Sequence, residues 1–387
     1  MTVAYFHHSG DLYGSSKSLL YLLGEIRKRG VMPLIILAED GPFHQVLKDK
    51  GFSVELVAEI PVVRRRVFAS FANFAKYLCG FIGSYSKIKK ILQENDVDII
   101  HSNDVVIGVL PGILSLALKT PHVWHIRSNL LDFRILSHIA RWLILSMSTV
   151  LIGVSKSVIL QLGENSAKKI RLVYNGLPQQ VIERLLPYAA NFRSSHGISE
   201  DDILVCCVGR INSWKGQEFL AKAFASIQSE LPDTVKLLFV GDTYPGSEIY
   251  QRQLDDQVGL LGIRHRTVQI GFVTDVRSVY EAIDILVVPS VVPEPFCLVV
   301  VEGMAYNCPI IAANHGGPSE ILQDQVTGLL YVPDDVRGLA QRIKQLVYDD
   351  GFRQQLGNNA RKFIDTAFSI NETADKVFDI YKSCLNR

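Results

Sequence analysis

The sequence carries almost no net charge, which excludes one broad class of partner. Its 387 residues include 40 lysines and arginines against 39 aspartates and glutamates, for a formal net charge of +1. A protein drawn to nucleic acid by its overall field needs a basic excess, and this chain has none. We therefore expect no nucleic-acid partner, and any basic surface must be local.

Cysteine patterns and long apolar runs are also scarce. The six cysteines form no Cys-x-x-Cys pair and no regular framework, which favours a reducing compartment over a disulfide-bonded secreted fold. Polar residues 7–9 interrupt the N-terminal segment too early for a signal peptide. The longest apolar stretches, 105–118 and 135–154, are too short or are interrupted by polar side chains. The sequence predicts a cytoplasmic protein, either soluble or peripheral to the membrane.

Short β-branched runs alternate with helical segments along the whole chain, a pattern typical of parallel sheets with helices on both faces. The strand candidates of the first half are 3–8, 33–38, 53–57, 98–101, 123–126, 150–154 and 171–174. Those of the second half are 203–208, 235–240, 268–270, 285–288, 310–313 and 328–331. A stretch with prolines, glycines and weak periodicity, 176–199, separates the two sets.

This organisation predicts an α/β protein of two Rossmann-like, doubly wound domains that face a central cleft. We expect the first domain to span residues 1–183 and the second to span residues 184–365. The last segment, 366–387, is expected to be a helix that packs back on the first domain. Ligands of open parallel sheets bind beyond the carboxyl ends of the strands, so the functional residues should follow the strands.

Two cations follow the first strand of the second domain. Strand 203–208 runs into Gly209 and Arg210, and Lys215 comes after a short loop. A guanidinium offers a planar fork to phosphate oxygens and an ammonium offers a point charge, so the two could neutralise a nucleoside diphosphate. The competing interpretation is a solvated loop.

Two glutamates, Glu294 and Glu302, follow strand 285–288. A helix is expected to begin near Phe296, between the two carboxylates. Free amides at the positive end of such a helix can seat a diphosphate. The residues expected to supply those amides are Phe296, Cys297, Leu298 and Val299. The competing explanation is chance, because 39 acidic residues produce some pair at this spacing easily.

Taken together, these elements resemble the retaining GT-B glycosyltransferases of family 4, or group 1, and the resemblance extends over nearly the whole chain. The second domain contributes Gly209-Arg210 with Lys215-Gly216, the pair Glu294 and Glu302, and the Gly-Gly-Pro-Ser-Glu turn at 316–320. The first domain contributes residues 14–20 after the first strand, His101, His125 within 123–127, 154–156 and the Tyr-Asn-Gly segment at 174–176.

The resemblance implies a role for each motif of the second domain. Arg210 and Lys215 would hold the diphosphate of the donor. Glu294 would contact the transferred sugar, and Glu302 would bond the ribose. The loop near Phe272-Val273 would pack against the base.

In the first domain the resemblance places His125 beside the reacting sugar, although a satisfied core histidine is the alternative. The amides of Gly14 and Ser15 would close over the phosphates. The family often has a second glycine where this chain has Ser15, which is the one departure from its pattern. His101, also at a strand end, is interpreted as structural.

The implied activity is retaining transfer of a sugar from a UDP- or GDP-sugar to a glycan or polyprenyl-linked acceptor, in cell-surface polysaccharide biosynthesis. No metal or other cofactor is expected, because no His, Asp or Cys cluster has metal-ligand spacing. The Asp-Val-Asp at 96–98 precedes a strand and is interpreted as a turn. Two alternatives stay open: a nucleotide-sugar 2-epimerase and a non-catalytic nucleotide-sugar-binding subunit.

A segment of the first domain, residues 60–93, has no acidic residue and interleaves basic with aromatic side chains at helical spacing. Such a segment suits an anionic membrane surface. A packed helix whose basic face meets solvent explains the pattern equally well. The basic residues are Arg64, Arg65, Arg66, Lys76, Lys87, Lys89 and Lys90, and the aromatic ones are Phe68, Phe71, Phe74, Tyr77, Phe81 and Tyr85.

Overall fold

The computed structural model describes residues 1–62, 70–129, 137–163, 168–182, 189–364 and 366–386. The chain divides into two compact units, one made of Met1–Gly176 with Ile370–Arg387 and the other of Leu177–Ser369. The division after Gly176 differs from the expected boundary at 183/184, which lies outside the described residues. The C-terminal helix belongs to the first unit.

The first unit is built on a seven-stranded parallel sheet. Its strands are β1 (Thr2–His7), β2 (Met32–Leu37), β3 (Ser53–Leu56), β4 (Ile99–Ser102), β5 (His122–Ile126), β6 (Val150–Gly153) and β7 (Ile170–Leu172). They are ordered β3-β2-β1-β4-β5-β6-β7. Its helices are α1 (Gly14–Lys28), α2 (Pro42–Asp49), α3 (Phe71–Glu94), α4 (Val109–Leu118), α5 (Ser137–Met147) and α6 (Lys156–Leu160), joined by the C-terminal helix Ile370–Leu385.

Alternation along β1 explains how both faces of this sheet are covered. Val3 and Tyr5 pack with α1 and with the C-terminal helix, which supplies Tyr381. Ala4 and Phe6 point to the opposite face and pack with α3 and α4. Successive side chains of a strand point to opposite faces, so a strand that is apolar throughout requires helices on both.

The second unit is built on a six-stranded parallel sheet. Its strands are β8 (Ile203–Val208), β9 (Val235–Val240), β10 (Thr267–Ile270), β11 (Ile285–Val288), β12 (Ile310–Ala313) and β13 (Leu329–Tyr331), in the order β10-β9-β8-β11-β12-β13. Its helices are α7 (Gln179–Ile182), α8 (Ala189–Ser195), α9 (Gln217–Ile227), α10 (Ile249–Leu260), α11 (Arg277–Ala282), α12 (Leu298–Ala305), α13 (Gly316–Ile321), α14 (Val336–Tyr348) and α15 (Asp350–Ile364). The C-terminal helix of the first unit is therefore α16.

The strand order positions the functional loops. In each unit the order reverses next to the first strand, between β1 and β4 in one and between β8 and β11 in the other. Loops that leave two adjacent strands in opposite directions open a crevice at this point, where doubly wound sheets bind ligands. Each strand predicted from sequence is present, with ends within two residues of those expected, so the predicted fold class is confirmed.

A helix that crosses a bilayer needs about 20 consecutive, mostly apolar residues. Within the described part of the chain, no helix is both long enough and apolar enough to cross a membrane.

Candidate active site

The loop after β8 carries both predicted cations. Arg210 is buried, and its guanidinium carbon lies 3.1 Å from the centre of the Tyr244 ring. The side chain of Asn212 closes the loop, because its Oδ1 accepts hydrogen bonds from the backbone amides of Trp214 (3.1 Å) and Lys215 (3.0 Å). Such an Asx turn holds a short loop without secondary structure, so both cations are fixed at the end of the strand.

Gly216 lets this loop lie against the end of the neighbouring strand. Its φ of +76° is in the left-handed region, and it caps the first turn of α9. A Cβ at this position would overlap the carbonyl oxygen of Pro289, the first residue after β11. Only glycine permits both the conformation and the close approach. The loops after β8 and β11 are thereby held in contact at the point where the strand order reverses.

Lys215 and Glu294 form an ion pair across this point. The Lys215 Nζ lies 2.8 Å from Glu294 Oε1, and the two side chains are 22% and 9% exposed. Ser290 donates its hydroxyl to the same Oε1 at 2.6 Å. Burial lowers the pKa of Lys215, but the nearby Glu294 carboxylate outweighs burial and raises that pKa overall, so the ammonium stays charged.

The Gly-Gly-Pro-Ser-Glu turn holds the backbone of Glu294 in place. The amide of Gly317 donates to the carbonyl of Glu294 at 2.7 Å. Gly316 has a φ of +63°, and a Cβ there would lie 2.5 Å from that same carbonyl oxygen. His315 Nε2 lies 2.8 Å from the carbonyl oxygen of Ser290. This turn therefore fixes the backbone of Glu294, and with it the position of the carboxylate.

The helix that follows Glu294 begins later than the sequence suggests. It starts at Leu298, with Cys297 as its N-cap, two residues after the expected start near Phe296. Cys297 adopts a left-handed conformation (φ 74°, ψ 77°), which interrupts the helical path. The amides at the positive end are those of Leu298 and Val299, whereas the Val300 amide bonds back to the Cys297 carbonyl. Phe296 is buried just outside the helix.

Glu302 lies one helical turn further along α12 and is buried. Its Oε2 accepts a hydrogen bond of 2.8 Å from the hydroxyl of Tyr280, which lies on α11. Sequence reasoning missed this partner, because a tyrosine 22 positions away carries no local signal. The bond fixes the carboxylate orientation.

Val273 lies in the loop between β10 and α11 and is partly exposed, next to the exposed Phe272. Gly271 opens this loop, where a Cβ would lie 2.9 Å from Asp242 Oδ1 in the loop after β9. The loops that follow the carboxyl ends of β9 and β10 are thus in contact.

In the first unit, His125 lies near the end of β5 and is fully buried. Its Nδ1 is 3.4 Å from Nη2 of Arg127. Burial, the positive charge of Arg127 and the neighbouring His101 lower the pKa of His125 well below its usual range, so the ring is neutral. His101 is also buried, with its Nδ1 2.6 Å from the hydroxyl of Tyr381 on α16. Tyr381 was not identified from the sequence, and Arg127 entered only as the last residue of the segment 123–127, without a role.

Gly14 and Ser15 form the first residues of α1, which follows β1. Gly14 is exposed, and a Cβ there would meet no atom within 4 Å. Ser15 is partly exposed, and its carbonyl accepts the hydroxyl of Ser18 at 3.2 Å. Both residues therefore lie in the first turn of a 15-residue helix, after β1, where the sequence places them.

A metal site in a protein usually takes three or more ligands from His, Cys, Asp or Glu side chains. Across the residues that the structure describes, no group of three or more His, Cys, Asp or Glu side chains is placed to hold a metal ion.

Family models match both halves of the chain. Residues 189–363 match the model for glycosyl transferases group 1. Residues 13–180 match the model for glycosyltransferase family 4. The two matched regions correspond to the two sheets.

Individual relatives of the chain are also named as sugar transferases. An uncharacterized glycosyltransferase of Methanocaldococcus jannaschii is 29% identical over 307 residues, which cover 76% of this chain and 77% of that protein. The lipopolysaccharide 1,2-N-acetylglucosaminetransferase of Salmonella typhimurium is 27% identical over 57% of this chain and 58% of its own. Anabaena HepE, solved with UDP-glucose, superposes with a TM-score of 0.84 at 24% identity, over 99% of this chain and 100% of that one.

The sucrose-phosphate synthase of Thermosynechococcus elongatus has the same fold, with a TM-score of 0.78 at 21% identity over 99% of this chain and 98% of that one. The parallel sheets, the motif residues at their strand ends and the two family models lead to one assignment. The chain is a glycosyltransferase of group 1, with the GT-B fold.

Proposed function

We propose that this protein is a retaining glycosyltransferase that uses a UDP- or GDP-sugar and acts on a glycan or polyprenyl-linked acceptor in cell-surface polysaccharide assembly. The observation that carries the proposal is the ion pair between Lys215 and Glu294 at the point where the second sheet reverses its strand order. The complex of HepE with UDP-glucose and the name of the Salmonella relative, a lipopolysaccharide N-acetylglucosaminetransferase, support the choice of donor class and setting.

The charges of the site suit a departing diphosphate. When the bond between the anomeric carbon and the diphosphate breaks, negative charge grows on the leaving oxygens. Arg210, Lys215 and the first amides of α12 would stabilise it, and each charge-assisted hydrogen bond contributes about 1.5–3 kcal/mol. Preorganised donors count most where charge develops, so these groups would accelerate bond cleavage as well as bind the donor.

Glu294 is suited to hold the sugar. Its Oε1 already accepts from Lys215 and Ser290, and neither contact uses Oε2. Oε2 would accept a sugar hydroxyl. Retention follows when the acceptor hydroxyl attacks the face that the diphosphate leaves and passes its proton to the departing phosphate oxygen. A new bond from the anomeric carbon to the acceptor oxygen replaces the bond to phosphate, and no metal or other cofactor takes part.

The test is a thermal-shift screen of UDP-, GDP- and ADP-sugars, followed by analysis of the product and its anomeric configuration. Arg210→Ala and Lys215→Ala should lower turnover at least tenfold with the best donor, and Glu294→Gln should also impair transfer. Arg252→Ala, which removes an exposed cation of the same unit, should not. Near-normal turnover in the first two variants would remove them from the mechanism.

The same assay separates the competing functions. An epimerase would isomerise the donor in the absence of acceptor and make no glycosidic bond. A non-catalytic subunit would bind the nucleotide sugar and leave it intact even with acceptor present. Inversion at the anomeric carbon would contradict the retaining mechanism.

We further propose that the first unit rests on an anionic membrane through a surface formed by α3, α4 and α5, where a lipid-linked acceptor would be presented. Phe71, Leu78 and Ile82 lie on one stripe of α3 and are 87%, 43% and 73% exposed. Leu116 on α4 and Trp142 on α5 are also exposed, at 61% and 65%. Helix α4 contacts both α3 and α5, so the three helices that carry these exposed side chains are neighbours.

Charge around this surface is basic. Lys76, Lys87 and Lys90 of α3 and Lys119 after α4 are exposed. Lys87 and Lys90 pair only loosely with Glu59 (3.9 Å) and Glu94 (3.6 Å). Exposed apolar side chains flanked by lysines bind anionic bilayers by burial and by charge together. Arg64, Arg65 and Arg66, expected from the sequence to contribute, lie outside the described residues.

Flotation with vesicles rich in anionic lipid tests this surface. We expect binding to the wild type and its loss in Phe71→Ser/Ile82→Ser and in Lys76→Gln/Lys87→Gln/Lys90→Gln. Leu260→Ser is the control, because it removes an equally exposed leucine from the second unit. Equal flotation of all these variants, or none by the wild type, would overturn the membrane proposal.

A further inference from the structure

A cavity of about 250 Å³ lies in the second unit, where the loop after β8 meets helices α9 and α10. The helical residues that line it are Glu218, Phe219, Lys222, Tyr250, Gln253 and Leu254. Those of α10 lie three or four positions apart, so they form one face of that helix. The cavity is therefore built entirely from elements of one unit.

The cavity is separate from the residues proposed to hold the donor. Among the described residues, neither Arg210 nor Lys215 nor Glu294 lines it. Sites for drug-sized ligands occupy about 300–1,000 Å³, so this cavity is too small for a nucleotide sugar. It has room for about eight waters at about 30 Å³ each, which is space for a single sugar ring with its hydroxyls.

Two amide side chains both line the cavity and hold the loop that carries the two cations. Asn212 Oδ1 accepts from the backbone amides of Trp214 and Lys215 at 3.1 and 3.0 Å. Gln217 Nε2 donates to the carbonyl of Arg210 at 3.0 Å. The wall of the cavity is thus continuous with the contacts that fix this loop.

The other end of each amide has no partner. Asn212 Nδ2, a donor, and Gln217 Oε1, an acceptor, are buried without a hydrogen-bond partner among the described residues. The Gln217 residue is only 3% exposed. A buried polar atom without a partner costs free energy, so two of opposite kind in one wall favour a ligand that satisfies both. A hydroxyl group donates and accepts at once, and a sugar ring carries several.

The lining favours a neutral ligand. Its charged side chains are Glu218 and Lys222, whose charges sum to zero. Glu218 lies in the first turn of α9, where its carboxylate offsets the positive end of the helix and disfavours an anion. Tyr250 is partly buried and Leu254 is fully buried, so both offer apolar surface to the C–H face of a sugar ring.

We propose that this cavity is an effector site for one neutral sugar ring. A sugar that satisfies Asn212 and Gln217 fixes the two side chains that hold the loop from Arg210 to Lys215. A loop that is already ordered loses less entropy when it binds a diphosphate, so the sugar tightens nucleotide binding. The effect on nucleotide rests on the proposed function, whereas the sugar site itself does not.

NMR titration of the full-length protein with D-glucose, D-galactose, D-mannose and N-acetyl-D-glucosamine tests the site. We expect one of these sugars to bind, both without UDP and with UDP at saturation. Gln253→Trp fills the cavity from α10 and should weaken this binding at least tenfold. Arg252→Trp is the matched control, because it places the same side chain at the adjacent exposed position, which does not line the cavity.

Three results would overturn the sugar site. They are the absence of binding by all four sugars, equal binding in the two tryptophan variants, and displacement of the bound sugar by inorganic phosphate. The last result would show that the cavity takes an anion instead.

Calorimetry with UDP and with GDP, in the presence and absence of the sugar that binds, measures the coupling. We expect the sugar to tighten nucleotide binding at least threefold in the wild type and in Arg252→Trp, but not in Gln253→Trp. An unchanged dissociation constant in the wild type would overturn the effector role. If neither nucleotide binds, the proposed function and the effector role both fail, whereas the titration alone decides the sugar site.

Discussion

The ammonium of Lys215 lies 2.8 Å from the carboxylate of Glu294, and the two residues come from loops that follow adjacent strands. Each charge is largely removed from water, so each depends on the other for compensation. This mutual dependence explains how the proposed diphosphate site holds its cation in place before a ligand arrives. The pair is also the part of the site whose energetics are most open to measurement.

Removing the lysine of this pair should destabilise the second unit more than removing the glutamate. Lys215→Met leaves the less exposed Glu294 without its counter-ion and should cost about 3 kcal/mol. Glu294→Gln leaves an ammonium that is 22% exposed and should cost less. Urea unfolding measures both. Lys236→Met breaks a comparable pair with Asp202 in the same unit and should lower stability without lowering turnover. A larger loss from Glu294→Gln than from Lys215→Met would contradict this ranking.

Gly216 tests the contact between the loops after β8 and β11. Gly216→Ala should cost about 2–5 kcal/mol, because a strained backbone costs about 1–2 kcal/mol and overlap with Pro289 adds a further 1–3 kcal/mol. Gly246→Ala is the matched control, since it has a similar φ of +79° but no atom within 4 Å of the added methyl. It should cost only about 1 kcal/mol. Similar losses in both would mean that the loops do not touch.

Cys297 adopts a left-handed backbone conformation, which glycine adopts with less strain than other residues. Cys297→Gly should be more stable than Cys297→Ala by roughly 0.5–1 kcal/mol, because relief of the left-handed strain exceeds the added freedom of the unfolded chain. Both substitutions remove the thiol, so the comparison isolates the backbone. Thermal unfolding measures the difference. Greater stability of Cys297→Ala would indicate that the backbone of residue 297 is not in the left-handed conformation at the start of α12.

Acid should destabilise the first unit through its buried histidines. Burial lowers the pKa of His122 to about 4, against 6.5 in an unfolded chain. The unfolded state therefore binds more protons between these values, so this contribution to stability is complete above about pH 6.5 and is lost as the pH falls towards 4. The loss amounts to about 3 kcal/mol for this one residue.

The free energy of unfolding, measured against urea from pH 7 to pH 4.5, checks this dependence. In His122→Gln, the slope of the free energy of unfolding against pH should fall by about 1.4 kcal/mol per pH unit, which corresponds to one proton fewer taken up on unfolding. An unaltered slope in His122→Gln would show that this ring does not titrate on unfolding.

Much of the fold was predictable because each strand is a short apolar run between polar turns. The strands from Ile203–Val208 to Ile310–Ala313 are clearly delimited, since a glycine, proline or charged residue adjoins at least one end of each strand. The resemblance to group 1 glycosyltransferases likewise depended on motifs short enough to recognise in sequence. The start of α12 was placed too early because no local pattern reveals that Cys297 adopts a left-handed conformation.

The partners of the site residues were not predictable from the sequence. Tyr280 bonds Glu302 from a different helix, and Tyr381 reaches His101 across 280 positions of chain. Neither spacing follows a helical or strand period, so only tertiary packing reveals the contact. The same is true of Arg127, whose guanidinium donates hydrogen bonds to three oxygens from three separate segments.

The most direct test of the proposed function is a crystal structure of the protein with UDP or GDP bound. We predict that the diphosphate lies against the amides of Leu298 and Val299, with Arg210 and Lys215 on its oxygens and the ribose hydroxyls on Glu302. A nucleotide bound elsewhere, or a diphosphate that leaves those amides and both cations untouched, would contradict the central claim.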